Sequence, residues 1–297
     1  VSVTSRKPLV QIQYRPPYLL RKKTMRHFYS IMLAIIITST NLVAYSYDEE
    51  DVSYFLKNNK CHQCDLSNYN FEKKYLDQAV ISESNLIGTN FNNSKIANSR
   101  IRSSDFTNST FIHADMNTTL IEDSNFTNAN LSEINLVSAT IINSNFIKAN
   151  LKLAKMYGIT AERTNFDGAN ITNVNIQKAI LSFSSFIKTD FNGSLLSLSL
   201  MDNTNLSYAN LSKVKARGVN FTEANLEFAD LSYSAFRRSV FNNSNMQNIK
   251  YRAANFYKSI FMNADLSTIT YEDVYFKQGV FCKTRMKEKI VNKDCRN

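Results

Sequence analysis

The fold class read from this sequence is a solenoid, one short segment turning the same corner again and again, and two observations carry that reading. The first is an apolar residue at every fifth position from Leu66 to Met286, 45 positions in one register without a slip. The second is a longer period laid over it, because residues 20 apart tend to share their identity. Phe106, Phe126, Phe146, Phe166 and Phe186 form one such run, Phe221, Phe241, Phe261 and Phe281 a second, and Phe236, Phe256 and Phe276 a third. A period of five fits neither an amphipathic helix, apolar at i, i+3, i+4 and i+7, nor a half-buried strand that alternates every second residue. A fixed short period means a unit that buries its apolar face only by stacking on its neighbours.

The unit has a chemistry of its own. Its central position runs Leu66, Phe71, Leu76, Ile81, Leu86, Phe91, and only Ala161 and Ala216 fall below Ile in size. Two residues earlier the chain is small almost everywhere, as in Ala79, Ser84, Thr89 and Ser94, and the position between is often Asn or Asp, as in Asp65, Asn85 and Asn90. Stretches such as Ala129-Asn130-Leu131-Ser132 and Ala224-Asn225-Leu226-Glu227 resemble the A(D/N)LXX unit of the pentapeptide repeat family, over about three quarters of the chain. The resemblance implies an all-β fold, a right-handed quadrilateral β-helix with four pentapeptides per coil and the central and small residues turned inward. Four pentapeptides make 20 residues, the period of the Phe runs. Ile81, Ile101, Ile121 and Ile141 occupy the earlier coils of the column that later holds Phe221. With coils at the usual strand spacing of about 4.8 Å, the repeat predicts about eleven coils and a rod on the order of 50 Å long.

In chain order, residues 1–46 read as a presequence. From Met25 the order is charged (Met-Arg-His), apolar (Ile31 to Ile37) and small (Ala44, Ser46), the order of a secretory signal peptide, with cleavage expected after Ser46. Thr38, Ser39, Thr40 and Asn41 interrupt the apolar stretch, which falls short of the roughly 20 residues of a spanning helix. An uncleaved membrane anchor is the alternative. The basic residues 1–24 are expected to lie upstream of the true start at Met25. The predicted location is therefore exported, periplasmic or secreted.

Residues 47–60 predict a capping helix, since acids open Asp48 to Lys57 and Val52, Phe55 and Leu56 recur at helical spacing. The β-helix follows over 61–286, and a basic tail over 287–297 completes a second cap in which Met286, Ile290 and Val291 cover the last coil. Caps are needed because an uncovered coil exposes core and unpaired edges. The four cysteines fall at these ends, Cys61 and Cys64 before the first coil, Cys282 and Cys295 after the last, and predict one disulfide stapling each cap. Zinc is the weaker reading of Cys61-His62-Gln63-Cys64, since no second pair lies near. No thioredoxin-like pattern surrounds it, and haem attachment would need His where Asp65 stands.

The net charge of +10 invites a nucleic-acid reading, but residues 61–281 hold 20 basic and 19 acidic residues, so the excess sits in the flanks. A basic presequence accounts for most of it, and nucleic acid is not expected as a partner. Within the rod the 20-residue register gathers Arg217, Arg237, Arg238, Tyr257, Lys258 and Lys277 on successive coils of one face as a candidate interaction strip. Its expected partner is a protein, a lipid headgroup or another anionic envelope component. A neighbouring face, with Glu83, Glu122, Asp123, Glu162, Asp202 and Glu223, is mildly acidic.

Nothing in the sequence assembles a catalytic site, a metal site or a cofactor site. His27 lies in the presequence, His62 beside the first cysteine pair, and His113 is expected alone on the outer surface, so no His-centred triad forms. Glu122 and Asp123 are adjacent outward residues without a cleft to raise a pKa. With six Gly in 297 residues, no Gly-rich phosphate loop exists. The Asn-x-Ser/Thr sequons, such as Asn125-Phe126-Thr127, follow automatically from the Asn of the repeat. The function expected is a non-enzymatic, exported scaffold or protein-interaction surface. The family resemblance implies one alternative, a DNA-mimicking modulator of DNA gyrase, which the charge and the signal peptide disfavour. The basic strip supplies another, binding to an anionic envelope surface.

Overall fold

The computed structural model describes residues 47–269, 275–287 and 289–295. The presequence reading of residues 1–46 therefore falls outside the described residues. Elsewhere the chain winds as a β-helix in which every coil advances 20 residues. Three-residue strands β1 (Lys60–His62), β2 (Val80–Ser82), β3 (Arg100–Arg102), β4 (Leu120–Glu122), β5 (Thr140–Ile142) and β6 (Thr160–Glu162) pair in parallel, Cys61 opposite Ile81, Ile81 opposite Ile101 and so on. The other three sides pair through single bridges at the same spacing, for example Asp65 with Asn85, Asn70 with Asn90 and Tyr75 with Lys95. Four pairing positions per 20 residues make the coil four-sided. The sides are named below by their first central residues, Leu66, Phe71, Leu76 and Ile81.

The sequence predicts about eleven coils, and extended strands make up fewer turns than that. Extended strands persist only over the first five turns, from β1 to β6. Beyond Glu162 the Ile81 side also pairs through single bridges, from Thr160 with Ile180 to Ile260 with Val280.

Most pentapeptides turn their corner by a β-turn whose second central residue has positive φ. Tyr69 N donates to Leu66 O at 3.2 Å, with Asn68 at φ 56°, a type II arrangement. Such a φ strains most L-residues, and Asn bears it best, which explains Asn68, Asn93, Asn98, Asn108 and Asn128 at that position. Glycine occurs there at Gly88, where a Cβ would come within 2.4 Å of Asn68 Oδ1. The Asn just before the central residue has a separate cause. Asn85 Oδ1 accepts from Ile87 N at 3.2 Å, closing its own turn, while Asn85 Nδ2 donates to Asp65 Oδ1 one coil earlier at 3.1 Å. The same two-way bonding joins Asn150 to Lys152 N and to Asn130 Oδ1, and Asn245 to Gln247 N and to Asn225 Oδ1.

The core is one continuous stack. Ring centroids along the first Phe run lie 4.6 Å apart for Phe106 and Phe126, 4.8 Å for Phe126 and Phe146, 5.2 Å for Phe146 and Phe166, and 5.1 Å for Phe166 and Phe186. Phe221, Phe241, Phe261 and Phe281 stack at 5.1–5.3 Å, and Phe236, Phe256 and Phe276 at 5.3–5.4 Å. Rings within a column are near-parallel, whereas neighbouring columns meet edge to face, as Phe221 meets Phe236 at 69°. Both geometries suit the ring quadrupole. A further run, Phe71, Phe91 and Phe111 at 4.8 Å, escaped the sequence reading although it has the same spacing. The small position is less strictly small than expected, since Ile134, Ile159, Val174, Val214 and Val219 fill it and are buried. Three of these residues restore volume: Ile159 precedes the undersized Ala161, and Val214 and Val219 flank Ala216. This keeps the core near native density.

Both ends are closed. Helix α1 (Glu49–Asn58) is capped by Asp48, whose carboxylate accepts from Glu50 N at 2.9 Å and Asp51 N at 3.3 Å, and acids in its first turn complement the helix dipole. It buries Val52 and Phe55, with Phe55 edge-on to Phe71 at 5.5 Å. Leu56, expected to help, faces outward at 37% exposure, because Val52 and Phe55 alone point down onto the coil. Asp51 and Asp48 also satisfy the amide and carbonyl of Asp65, so the helix covers the open edge polar group by polar group. At the far end β7 (Thr284–Arg285) and β8 (Ile290–Val291) form an antiparallel hairpin. Met286 is buried and Val291 packs on the core, but Ile290 is 63% exposed, since alternate residues of β8 face opposite ways. Disulfides join Cys61 to Cys64 and Cys282 to Cys295. Asp294 accepts from Phe281 N and returns its own amide to Phe281 O, latching the tail.

Near this cap burial works against the charged form of Asp265. Hydrogen bonds from the Ser267 hydroxyl and from Gln247, the Ser267 amide and the Arg285 guanidinium outweigh it and hold the carboxyl below its ordinary value.

Candidate interaction surface

The backbone places the predicted basic strip on the Leu76 side. There the residue before the centre and the two after it point outward, and each coil hands the same positions to the next through bonds such as Arg238 N to Tyr257 O at 2.8 Å and Gly218 N to Arg237 O at 2.9 Å. Tyr257 stands at the middle of the strip. The Arg237 guanidinium lies 5.4 Å from its ring centroid and the Lys258 ammonium 5.3 Å, so cations converge on one aromatic ring. Tyr275, unnoticed in the sequence, lies 6.2 Å from Tyr257 and joins Arg237, Asn255, Tyr257 and Lys277 in lining a shallow depression of 470 Å³. Arg217 adjoins this depression one coil earlier, its amide held by Ser197 Oγ.

The structure widens the strip in a way the sequence reading missed. Cations occupy all three outward rows of the Leu76 side: Lys95, Lys155 and Lys215 before the centre, Arg217, Arg237 and Lys277 directly after it, and Lys178, Arg238 and Lys258 one further on. All nine are exposed, and among the described residues none pairs with a carboxylate. The same rows hold two acids. Asp77 accepts from Ala97 N and Asp115 from Asn117 and Asn135, so both are spent on the coil itself. Residues 61–281 outside these rows carry 11 basic and 17 acidic residues. A rod with a net charge of +1 is thus one strongly positive side against a negative remainder. The signal was present in the 20-residue register, and it was lost by following only the last four coils.

Cation-on-tyrosine contacts recur along this side. Lys95 sits 5.0 Å over Tyr75, and Lys178 5.3 Å over Tyr157, far from the Tyr257 cluster. Tyr75 is 74% exposed, and Leu198 beside the strip 58%.

The remaining predicted groups stay apart. His62 Nδ1 meets Ser82 Oγ at 2.9 Å. His113, expected alone, is instead 3.4 Å from Glu133 Oε2 on the next coil, because residues 20 apart are neighbours. Glu122 and Asp123 lie on the outer wall of the Ile81 side. Among the described residues no helix is long and apolar enough to cross a membrane.

Comparison with known proteins bears on the fold. A trypsin-treated form of QnrB1, a plasmid-mediated fluoroquinolone resistance protein, is similar at 21% identity and a TM-score of 0.51, covering 57% of this chain and 89% of that one. HetL, a pentapeptide repeat protein involved in heterocyst differentiation regulation from Nostoc sp. strain PCC 7120, matches at 18% identity and a TM-score of 0.34, covering 78% of this chain and 91% of its own. No curated protein matches the chain. The family model for pentapeptide repeats matches in eight copies over residues 60–96, 84–123, 121–158, 144–182, 184–222 and 220–250. The chain belongs to the pentapeptide repeat family.

Proposed function

We propose that this protein is a non-enzymatic, exported scaffold whose rigid rod offers a long side to a protein or envelope component. The observation that carries the reading is the unbroken core, one stack from Val52 and Phe55 to Met286 closed by a cap at each end. Such a core leaves long, regular outer walls as the surface the described residues present. Export is supported by the signal-like order of residues 25–46 and by a disulfide at each cap, which persists in oxidising compartments. The alternative of a DNA mimic acting on gyrase fits poorly, since mimicry of a duplex needs acidic walls and the Leu76 side is basic.

Fractionation of cells expressing the tagged chain, followed by cross-linking in place, tests the proposal. A product shortened at its N-terminus, found outside the cytoplasm and cross-linked to a discrete partner, supports it. A cytoplasmic protein with four free thiols overturns export, and inhibition of gyrase supercoiling by the purified chain favours the mimic.

A further inference from the structure

We infer that the Leu76 side is a docking surface for a planar lipid membrane bearing anionic headgroups, on which the rod lies lengthwise. The inference rests on the scaffold reading and names the component its basic side meets. Charge complementarity makes the partner anionic, because the exposed cations of this side have no carboxylate partners among the described residues. Their layout makes it planar. From Lys95 to Lys277 they span nine coil steps, about 43 Å at strand spacing. They also occupy all three outward rows rather than one. A single linear polyanion lying along the rod follows one row at a time, whereas a plane touches all three at once.

The aromatic residues point the same way. Tyr75, Tyr157, Tyr257 and Tyr275 project from this side with cations over three of the four rings, and Leu198 stands exposed among them. Tyrosine with a polar tip and apolar ring, beside lysine and arginine, is the composition of a headgroup-level contact. Base stacking on a nucleic acid strand would have to compete with the cations that lie over Tyr75, Tyr157 and Tyr257. Each Lys or Arg near an anionic bilayer strengthens partitioning by about fivefold, and salt weakens the effect over a Debye length of about 8 Å.

The test compares two variants of the full-length chain that lose equal charge, so that residues 1–46 contribute alike to both. One carries Arg217→Gln, Arg237→Gln, Arg238→Gln and Lys258→Gln on the Leu76 side. The other carries Lys148→Gln, Lys152→Gln, Lys188→Gln and Lys213→Gln on the Leu66 and Phe71 sides. Partitioning onto vesicles of phosphatidylglycerol and phosphatidylcholine is measured at physiological salt, with melting curves to show that both variants fold. The first variant is expected to lose at least tenfold and the second less than threefold. Because the chain contains no Trp, Leu198→Trp supplies a unique fluorophore whose emission should shift to the blue on these vesicles. Equal losses in the two variants, or an unshifted Trp, overturn the inference. So does a first variant that keeps vesicle binding and loses binding to a soluble polyanion such as dextran sulfate. Vesicle binding in vitro is independent of cellular location and of any protein partner, so its failure leaves the scaffold reading to the cross-linking result.

Discussion

The Ile81 side solves one structural problem in two ways, and the boundary lies between Glu162 and Leu181. In the early coils the central residues Ile81, Ile101, Ile121 and Ile141 sit in three-residue strands. There the buried amide three residues on is satisfied from the next coil, Ser84 N by Ser104 Oγ, Ser104 N by Ser124 Oγ and Ser124 N by Ser144 Oγ, each at 3.2 Å. In the later coils the centres become Leu181, Met201 and Phe221, and the same amide closes a turn within its own coil, as Ala224 N does to Phe221 O at 3.1 Å. The φ of the corner residue follows, from 47–51° between Glu83 and Arg163 to 57–63° between Phe183 and Asn243. β-branched Ile suits an extended backbone, whereas Leu, Met and Phe tolerate the tighter turn. One register therefore admits two local backbones, provided each buried N–H has an acceptor.

The largest effect is expected where a column crosses that boundary. Phe166 stacks on Phe146 before it and on Phe186 after it. Phe166→Ala should cost about 3–5 kcal/mol, and Phe166→Asp more, because a carboxylate would replace a fully buried ring. Loss of far-ultraviolet ellipticity across several coils is the expected reading for Phe166→Asp, and an unchanged melt would break the stacking account on both sides of the boundary.

The two caps should differ next. The Cys282–Cys295 bridge closes a loop of 13 residues' separation against a separation of three for Cys61–Cys64. Chain entropy makes the longer loop worth about 3 kcal/mol and the shorter one less. The double substitution Cys282→Ser, Cys295→Ser should lower the melting temperature more than Cys61→Ser, Cys64→Ser does. The reverse order would place the weaker end at the helix.

Serine reports the boundary most directly. Ser124→Ala removes the acceptor of the Ser104 amide in the strand region and should cost about 1–3 kcal/mol, the penalty of a buried donor left without a partner. Ser244→Ala, beyond the boundary, removes a hydroxyl bonded to the Phe241 carbonyl while the Ser244 amide keeps that same carbonyl as acceptor. Its cost should be nearer 1 kcal/mol or below. Equal costs in urea melts would mean that the two backbones do not differ in how they satisfy this amide.

The smallest expected effect is electrostatic. Asp265 has a folded-state pKa below its ordinary value, so its contribution to stability is present above the ordinary carboxylate pKa of about 3.9 and is lost as pH falls through the depressed one. Asp265→Asn should lower the melting temperature slightly above pH 4 and flatten its fall below, so that the two profiles converge in acid. A wild-type profile unchanged by the substitution would remove Asp265 from the C-terminal cap's electrostatics.

The fold was legible because a period of five is incompatible with the two common secondary-structure periods, and the Phe runs reported the coil length directly. Leu56 and Ile290 were misjudged because spacing alone does not say which way an end residue faces once a cap docks. His113 was read as isolated because its partner, Glu133, is 20 residues away in sequence and one coil away in space. The basic strip was visible in part through Arg217, Arg237, Arg238, Tyr257, Lys258 and Lys277. Its extension to Lys95, and the tyrosines under its cations, required all three outward rows to be followed along the whole rod.

By itself the sequence determined the five-residue register, the 20-residue coil and the inward set of Phe, Leu and Ile, because burial direction repeats with the chain and needs no distant partner. Only the tertiary structure decided which acceptor each buried amide uses, where strands give way to turns, and how a nearly neutral rod divides into a basic side and an acidic remainder. Those outcomes depend on which atoms of successive coils come within hydrogen-bonding or Coulombic range, and a solenoid brings together polar atoms of residues that the sequence holds 18 to 23 positions apart.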